Sequence, residues 1–188
     1  MDLLQALHHR RSTPSRLLTD PGPDSGQLSR LLECAVRVPD HGKLVPWRFL
    51  RIEGEVRRQL GDFLAVRSLQ RNPAAAAAVI DKDRQRFNHA PLVLTVIGRI
   101  TPGHQIPEQE QLLSGGALCL ALLQAADALG FGAQWLTGWA AYDEVVCARL
   151  GLVENERVLG FIHIGTAREP APERDRPDPH SLLSELRL

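Results

Sequence analysis

The chain has 188 residues, which is enough for one ordinary domain and short for two. Its 22 basic and 22 acidic side chains cancel, which argues against a dedicated nucleic-acid-binding protein, since such proteins normally carry a basic excess. The three cysteines have no close spacing, which excludes a disulfide framework or a CxxC metal site and is typical of a reducing, cytoplasmic compartment.

Hydrophobic periodicity and turn residues predict elements along the whole chain. The N-terminal half is predicted to contain a helix over 2–9, a loop over 12–23, a helix over 26–37, a loop over 39–46, a strand over 47–52, and helices over 55–70 and 73–88. The C-terminal half is predicted to contain strands over 92–97, 131–139 and 157–164 and helices over 108–129 and 142–150.

This order of elements predicts a single domain over 1–188 of the α+β or α/β class, with one sheet of about four strands flanked by helices. The helix over 108–129 is apolar nearly all round, but it contains polar residues and its apolar run is short for a bilayer span. We therefore expect a buried core helix and no membrane partner. The segment 167–188 is rich in proline and charge, so we expect an arm that packs on a second subunit.

A first polar cluster, Arg10, Arg11 and Ser12, follows the first helix. Arginine presents a planar fork to phosphate oxygens and serine adds a short donor, so the triplet suits a phosphate. Basic residues also occur at helix C-termini without any ligand, because they oppose the helix dipole. The spacing alone leaves both interpretations open.

Two further clusters lie in loops. Residues 37–47 contain the basic residues Arg37 and Lys43, the imidazole of His41, two prolines that stiffen the loop, and Trp47, which suits either a planar anionic ligand or a simple closed turn. Residues 130–139 combine small residues with two tryptophans, which suits either close backbone approach to a ligand or a β-bulge. The chain has no GxGxxG, P-loop, GxSxG or HxxxH pattern, so we expect no metal site.

Together these clusters resemble the FMN-dependent nitroreductase family, most closely its small, single-domain, YdjA-like NAD(P)H nitroreductase subgroup. The resemblance covers residues 2–180. The matching segments are RRSTPSRL (10–17), RVPDHGKLVPWRFLRIEG (37–54), APLVLTVIG (90–98), LGFGAQWLTGW (129–139), VLGFIHIGTA (158–167) and RPDP (176–179). Their shared order and spacing, rather than any single segment, carry the resemblance.

The resemblance implies an α+β, nitroreductase-like fold with a mostly antiparallel central sheet, in an intertwined homodimer whose FMN sites take residues from both subunits. At the FMN phosphate the resemblance implies Arg10, Arg11 and Ser12 of one subunit, and Arg37 and His41 are implied to come from the other. Along the isoalloxazine ring it implies Trp135, Leu136 and Thr137. The arm is implied to add one cation at the phosphate, Arg174, with Arg168 and Arg176 as alternatives. Backbone amides near Thr137 and Gly138 are implied to face flavin N5. The segment implied to contact NAD(P)H is Ala125, Ala126, Asp127, Ala128, Leu129 and Gly130.

The implied activity is transfer of hydride from NADH or NADPH through flavin N5 to a small-molecule acceptor such as a nitroaromatic or quinone, by a ping-pong mechanism. The flavin does this chemistry, so no catalytic side chain is expected. Leu136 stands where some close relatives have a basic residue, which implies less positive charge near the flavin. The chain also lacks the long insertions of larger family members, which implies an open, shallow pocket over the flavin. The alternative is a non-catalytic FMN-binding dimer that stores or senses flavin.

Overall fold

In the computed structural model, which describes residues 3–187, five antiparallel strands form one sheet with helices on both faces. The helices are α1 (Leu3–His9), α2 (Ser25–Ala35), α3 (Glu55–Arg71), α4 (Ala77–Gln85), α5 (Glu108–Ala128) and α6 (Glu144–Arg149). The strands are β1 (Leu18–Thr19), β2 (Trp47–Glu53), β3 (Leu92–Arg99), β4 (Gly132–Leu136) and β5 (Glu156–Ala167). Asp2, in the predicted first helix, lies outside the described residues.

The longest strand, β5, is the centre of the sheet. The order is β1-β5-β3-β2, and β4 also pairs with β5, with Trp135 opposite Ile162 and Leu136 opposite Phe161. The prediction of an antiparallel sheet flanked by helices is confirmed. The predicted number of strands was one too low, because the two residues of β1 are too few to show an alternating pattern and lie within the predicted loop over 12–23.

Each face of the sheet is covered by its own hydrophobic cluster. On one face α2 and α5 pack over Leu94 and Ile162. On the other, α3 and the segment after α4 pack over Val93 and Phe161, where Phe87 contacts Phe161 edge to face with ring centroids 5.0 Å apart. Because side chains alternate across a strand, neighbouring residues of β4 point to different faces of the sheet, and Ala133 belongs to the cluster under α2 and α5.

Two predicted boundaries were wrong for identifiable reasons. The helix predicted from 73 begins at Ala77, because the Asn72 side chain and carbonyl accept hydrogen bonds from the amides of Ala74 and Ala75 and close a turn. The strand predicted over 131–139 ends at Leu136, because Gly138 adopts φ 68° and ψ −174°, a conformation almost restricted to glycine. Residues 139–141 then form a 3-10 turn.

The long helix α5 leaves an apolar stripe uncovered. Its length and composition would allow it to cross a membrane, but half of its apolar window is buried against the rest of the chain, as expected for a core helix. Leu113 and Leu120 on its outer side are 65% and 42% exposed. The apolar residues of α1 are exposed as well, and so are Leu182, Leu183 and Leu186 near the C-terminus. These surfaces suit contact with another protein surface.

Candidate ligand-binding site

The first polar cluster is fixed to the edge of the sheet at the start of β4. The amide of Thr13 donates to the carbonyl of Ala133 over 3.0 Å, and the amide of Ser15 donates to the Gln134 side chain over 2.6 Å. Arg10 Nη1 lies 3.5 Å from Ser12 Oγ, so a guanidinium and a hydroxyl converge at one point. The two groups are partly buried and together offer donors that suit an anion.

An open cleft of about 360 Å³ lies beside this cluster. Its lining comprises His9, Arg11, Thr13, Asp127, Gly130, Phe131, Gly132, Ala167, Pro170 and Ala171. Asp127 and Gly130 of the predicted segment 125–130 therefore line the same cleft as Arg11 of the first polar cluster. Within this segment Ala125 and Ala126 are buried, whereas Asp127 and Gly130 are exposed.

The start of the C-terminal arm also reaches the cluster. Arg11 forms an ion pair with Glu173 and donates to the carbonyls of His8 and Arg10. The neighbouring residue Arg174 donates its amide to Glu173, so the sequence-predicted arm cation lies one residue from this contact. Arg11 is thus engaged with its own chain in this structure, which leaves Arg10 and Ser12 as the more available donors.

In the part of the chain that the structure describes, the basic residues predicted for the second cluster form no hydrogen bond with the first, and His41 lies at the opposite end of α5. Arg37 is exposed just after α2, and His41 Nδ1 lies 2.7 Å from Glu110 Oε2 in the first turn of α5. The first cluster instead borders Asp127, seventeen residues further along that helix, which at 1.5 Å per residue is about 25 Å away. Within one chain, therefore, the structure does not bring Arg37 or His41 together with Arg10 and Ser12.

The end of β4 presents backbone donors. Within residues 3–187 the amides of Thr137 and Gly138 donate no hydrogen bond, and Gly138 is exposed. Trp135 lies on the α5 face, where its indole donates to the Leu159 carbonyl over 3.0 Å and packs on Gly160; a Cβ there would lie 2.1 Å from Trp135 Nε1. Leu136 points to the other face of the sheet.

Sequence reasoning missed a buried polar hub beneath the Thr137–Gly138 turn. Asp83 is 4% exposed, and its carboxylate accepts hydrogen bonds from Ser68 Oγ (2.8 Å), Arg86 Nη2 (2.8 Å) and Trp139 Nε1 (2.9 Å). Trp139 belongs to the third predicted cluster, but nothing in the sequence around Asp83 distinguishes it from the solvated acids of a surface helix.

The charge state of this hub follows from its contacts. Burial disfavours the ionised carboxylate, but the hydrogen bonds from Arg86, Trp139 and Ser68 outweigh it and hold the pKa of Asp83 below its usual value. Cys119 on α5 behaves differently, because burial raises the pKa of its thiol to about 12 and leaves it a small apolar core residue. No group of three or more potential metal ligands occurs among residues 3–187.

Comparison with known proteins gives consistent matches. The model of the nitroreductase family matches residues 7–166. The chain is 38% identical over 188 residues to the Escherichia coli (strain K12) protein named "Putative NAD(P)H nitroreductase YdjA", covering 98% of this chain and 99% of that protein.

Solved structures share the fold over the full length. A nitroreductase-like family protein from Bacillus cereus matches with a TM-score of 0.82 and 24% identity, covering 99% of this chain and 96% of that one. A nitroreductase from Desulfovibrio desulfuricans, solved in complex with FMN, matches with a TM-score of 0.77 and 22% identity, covering 99% of this chain and 98% of that one.

Proposed function

The chain belongs to the nitroreductase family of oxidoreductases, and we propose that it is a homodimeric flavoprotein that binds FMN and passes electrons from NADH or NADPH to a small-molecule acceptor. The observation that carries this proposal is the pairing of a cationic cluster at the start of β4 with unoccupied backbone amides at its end. Four residues of strand separate Ala133 from Thr137, about 13 Å. That arrangement suits a ligand with an anionic end and a planar, hydrogen-bonding end.

The donor set fits FMN at both ends. Arg10 and Ser12 would hold the phosphate, because a guanidinium and a hydroxyl provide charge-assisted donors to its oxygens. Thr137 and Gly138 would direct amides at the ring nitrogen N5, and Trp135 and Leu136 would contact the ring edge. Arg174, Arg168 or Arg176 of the arm would add a cation at the phosphate.

In the proposed mechanism the protein positions the ligands and stabilises the charge that develops on the flavin. The chemistry that bound FMN would supply is the acceptance of hydride from the nicotinamide and the return of electrons to the acceptor, in a ping-pong sequence. Amides fixed at Thr137 and Gly138 would donate to the nitrogen that gains charge, and the arginines would stabilise that charge without reorganising. The segment 125–130 would contact NAD(P)H across the cleft from Arg11. No described side chain is required as an acid or base.

The dimer is needed to complete the site. His41 contacts Glu110, about 25 Å along α5 from the Asp127 that borders the same cleft as Arg11, so a single chain does not bring His41 and Arg10 to one FMN. In a two-fold dimer, the Arg37 end of one subunit can meet the Arg10 end of the other. The exposed stripe on α5, the apolar face of α1 and the leucines of the arm would be buried in such an interface.

Subunit complementation tests this shared site. One variant carries Arg10→Ala and Ser12→Ala, the other Arg37→Ala and His41→Ala, and each alone should bind FMN weakly. After the two are unfolded and refolded together, about a quarter of the sites should bind FMN tightly, since half of the dimers are mixed and each mixed dimer has one intact site. No recovery on mixing, with mixed dimers confirmed by mass, would contradict a site built from two subunits.

The oxidoreductase activity is tested by mixing the FMN-loaded protein with NADH and with NADPH in the absence of oxygen. We expect one of them to bleach the flavin absorbance near 450 nm rapidly. A nitroaromatic or a quinone added afterwards should restore the absorbance. A protein that keeps its FMN but is bleached by neither nicotinamide would instead be a flavin-storing or flavin-sensing dimer.

A further inference from the structure

We infer that Asp83 is a positioning residue of the flavin site, where its carboxylate holds Arg86 and Trp139 against the Thr137–Gly138 turn and thereby fixes the direction of the turn's two amides. This inference rests on the flavin function proposed above. Asp83 lies on α4, outside every sequence segment that carries the family resemblance. It would act through other residues and would not itself touch the flavin.

The hub restrains the turn from two sides. Trp139 directly follows Gly138, and its indole donates to Asp83 Oδ1 over 2.9 Å. Arg86 donates to the same oxygen over 2.8 Å and packs against Gly138, where a Cβ would lie 2.8 Å from Arg86 Nη1. One carboxylate oxygen thus fixes both the residue after the turn and the side chain beneath it.

No other hydrogen bond within residues 3–187 holds either donor side chain. Arg86 Nε is buried without a partner, and the hydrogen bond and ion pair to Asp83 use only Nη2. Trp139 has one ring donor, which Asp83 accepts, while the Arg71 guanidinium stacks 4.5 Å from the ring centroid. Neutralising the carboxylate would leave the Arg86 charge without its counterion and would weaken the hydrogen bonds from both donors, which loosens Arg86 and Trp139 together.

The Thr137–Gly138 turn has little rigidity of its own. The 3-10 turn after Gly138 is one short turn, and Gly138 itself has the widest conformational freedom of any residue type. Amides that serve as donors to a developing charge must be fixed in direction before the reaction, since misplacement by about 1 Å can cost about 100-fold in rate. The buried hub supplies that restraint through a rigid helix rather than through the flexible turn.

The experiment uses Asp83→Asn and Trp139→Phe in the FMN-loaded protein. Asn keeps the shape but loses the charge, and Phe keeps the ring but loses the indole donor. In both variants the rate of flavin reduction at saturating NAD(P)H should fall about 10- to 100-fold with little change in the nicotinamide KM, since positioning and not binding is lost. The visible absorption band of bound FMN should also differ from that of the wild type, a readout that a mere loss of stability does not move.

The matched control is Glu156→Gln, which neutralises another carboxylate whose side chain is 7% exposed. Its partners Arg48, Arg99 and Val153 lie outside the turn, so it should lower the melting temperature and leave the spectrum and the rate unchanged. If Asp83→Asn fails to fold, Trp139→Phe decides alone. Wild-type rate and spectrum in the variants would overturn the inference, whereas a wild type that neither NADH nor NADPH reduces would overturn the proposed function itself.

Discussion

Replacing Arg10 and Ser12 with alanine is expected to weaken FMN binding by about 2–4 kcal/mol, which is about 30- to 800-fold in Kd. The loss arises because two charge-assisted donors to the phosphate disappear from a partly buried position, where water replaces them poorly. The measurement is the Kd from equilibrium dialysis of each purified protein against FMN, repeated at low and high salt.

Arg58→Ala serves as the control for loss of one arginine. Arg58 is exposed on α3, and within residues 3–187 it pairs only with Glu55 and Asp62, so its removal should leave FMN affinity within about two-fold. Arg11→Ala has a structural effect that Arg58→Ala lacks. Arg11 pairs with Glu173 and donates to two carbonyls, so its replacement should also loosen the C-terminal arm. Unchanged affinity in the Arg10 and Ser12 variant would place the phosphate elsewhere.

The fold was predictable wherever a pattern extends over several residues. Strands β2, β3 and β5 alternate or run continuously apolar, and α5 is long enough to leave no ambiguity, so their existence and type followed from periodicity. The two residues of β1 carry no period, and their pairing with Thr166 and Ala167 is a long-range fact that only the folded chain contains. The early end of β4 depends on one glycine conformation, which sequence does not specify.

The candidate site, like the fold, could be predicted only where its residues are contiguous in sequence. Clusters that are contiguous in sequence, such as Arg10 to Ser12 or the Thr137–Gly138 turn, could be recognised as candidates from the amino-acid sequence alone. The distances between these clusters in the folded chain could not be predicted. They depend on which end of α5 each loop contacts, which the sequence does not state. Asp83 was missed for a related reason, since a carboxylate on a polar helix becomes distinctive only when burial and three donors surround it.

Lowering the pH from 7.5 to 5 is expected to reduce the free energy of unfolding by about 2 kcal/mol through His163 alone. His163 on β5 is fully buried and stacks on Phe87 with centroids 6.0 Å apart, and neither ring nitrogen has a partner within residues 3–187. Burial, with smaller contributions from the nearby His89 and Arg86 charges, lowers the pKa of His163 from 6.5 to about 3. The folded state thus keeps this imidazole neutral at pH values where the unfolded chain binds a proton.

The sign and the pH window follow from these two pKa values. Below pH 6.5 the unfolded state binds one more proton, so stability falls with decreasing pH, and the fall ends near pH 3, where the folded protein also protonates. The carboxyls of Asp83, Asp143 and Glu156 have pKa values lowered by their hydrogen bonds and ion pairs, so their loss of stability begins only in more acid solution. The interval from pH 7.5 to 5 therefore isolates the contributions of the histidines, of which His163 gives the larger and His89, whose pKa is also lowered by burial, gives a smaller one of the same sign.

His163→Leu separates this contribution from the rest of the molecule. Leucine fills the site without titrating and removes two unpartnered nitrogens, so the variant should be about as stable as the wild type at pH 7.5 and should lose about 2 kcal/mol less on going to pH 5. Urea unfolding of both proteins across the interval measures the difference, and His180→Gln, which alters an exposed histidine of the arm, should follow the wild type. Parallel pH profiles for His163→Leu and the wild type would contradict this prediction, because they would mean that the pKa of His163 is the same in the folded and unfolded states. In that case the sheet face beside Phe87 would have to open on acidification and expose the imidazole to water.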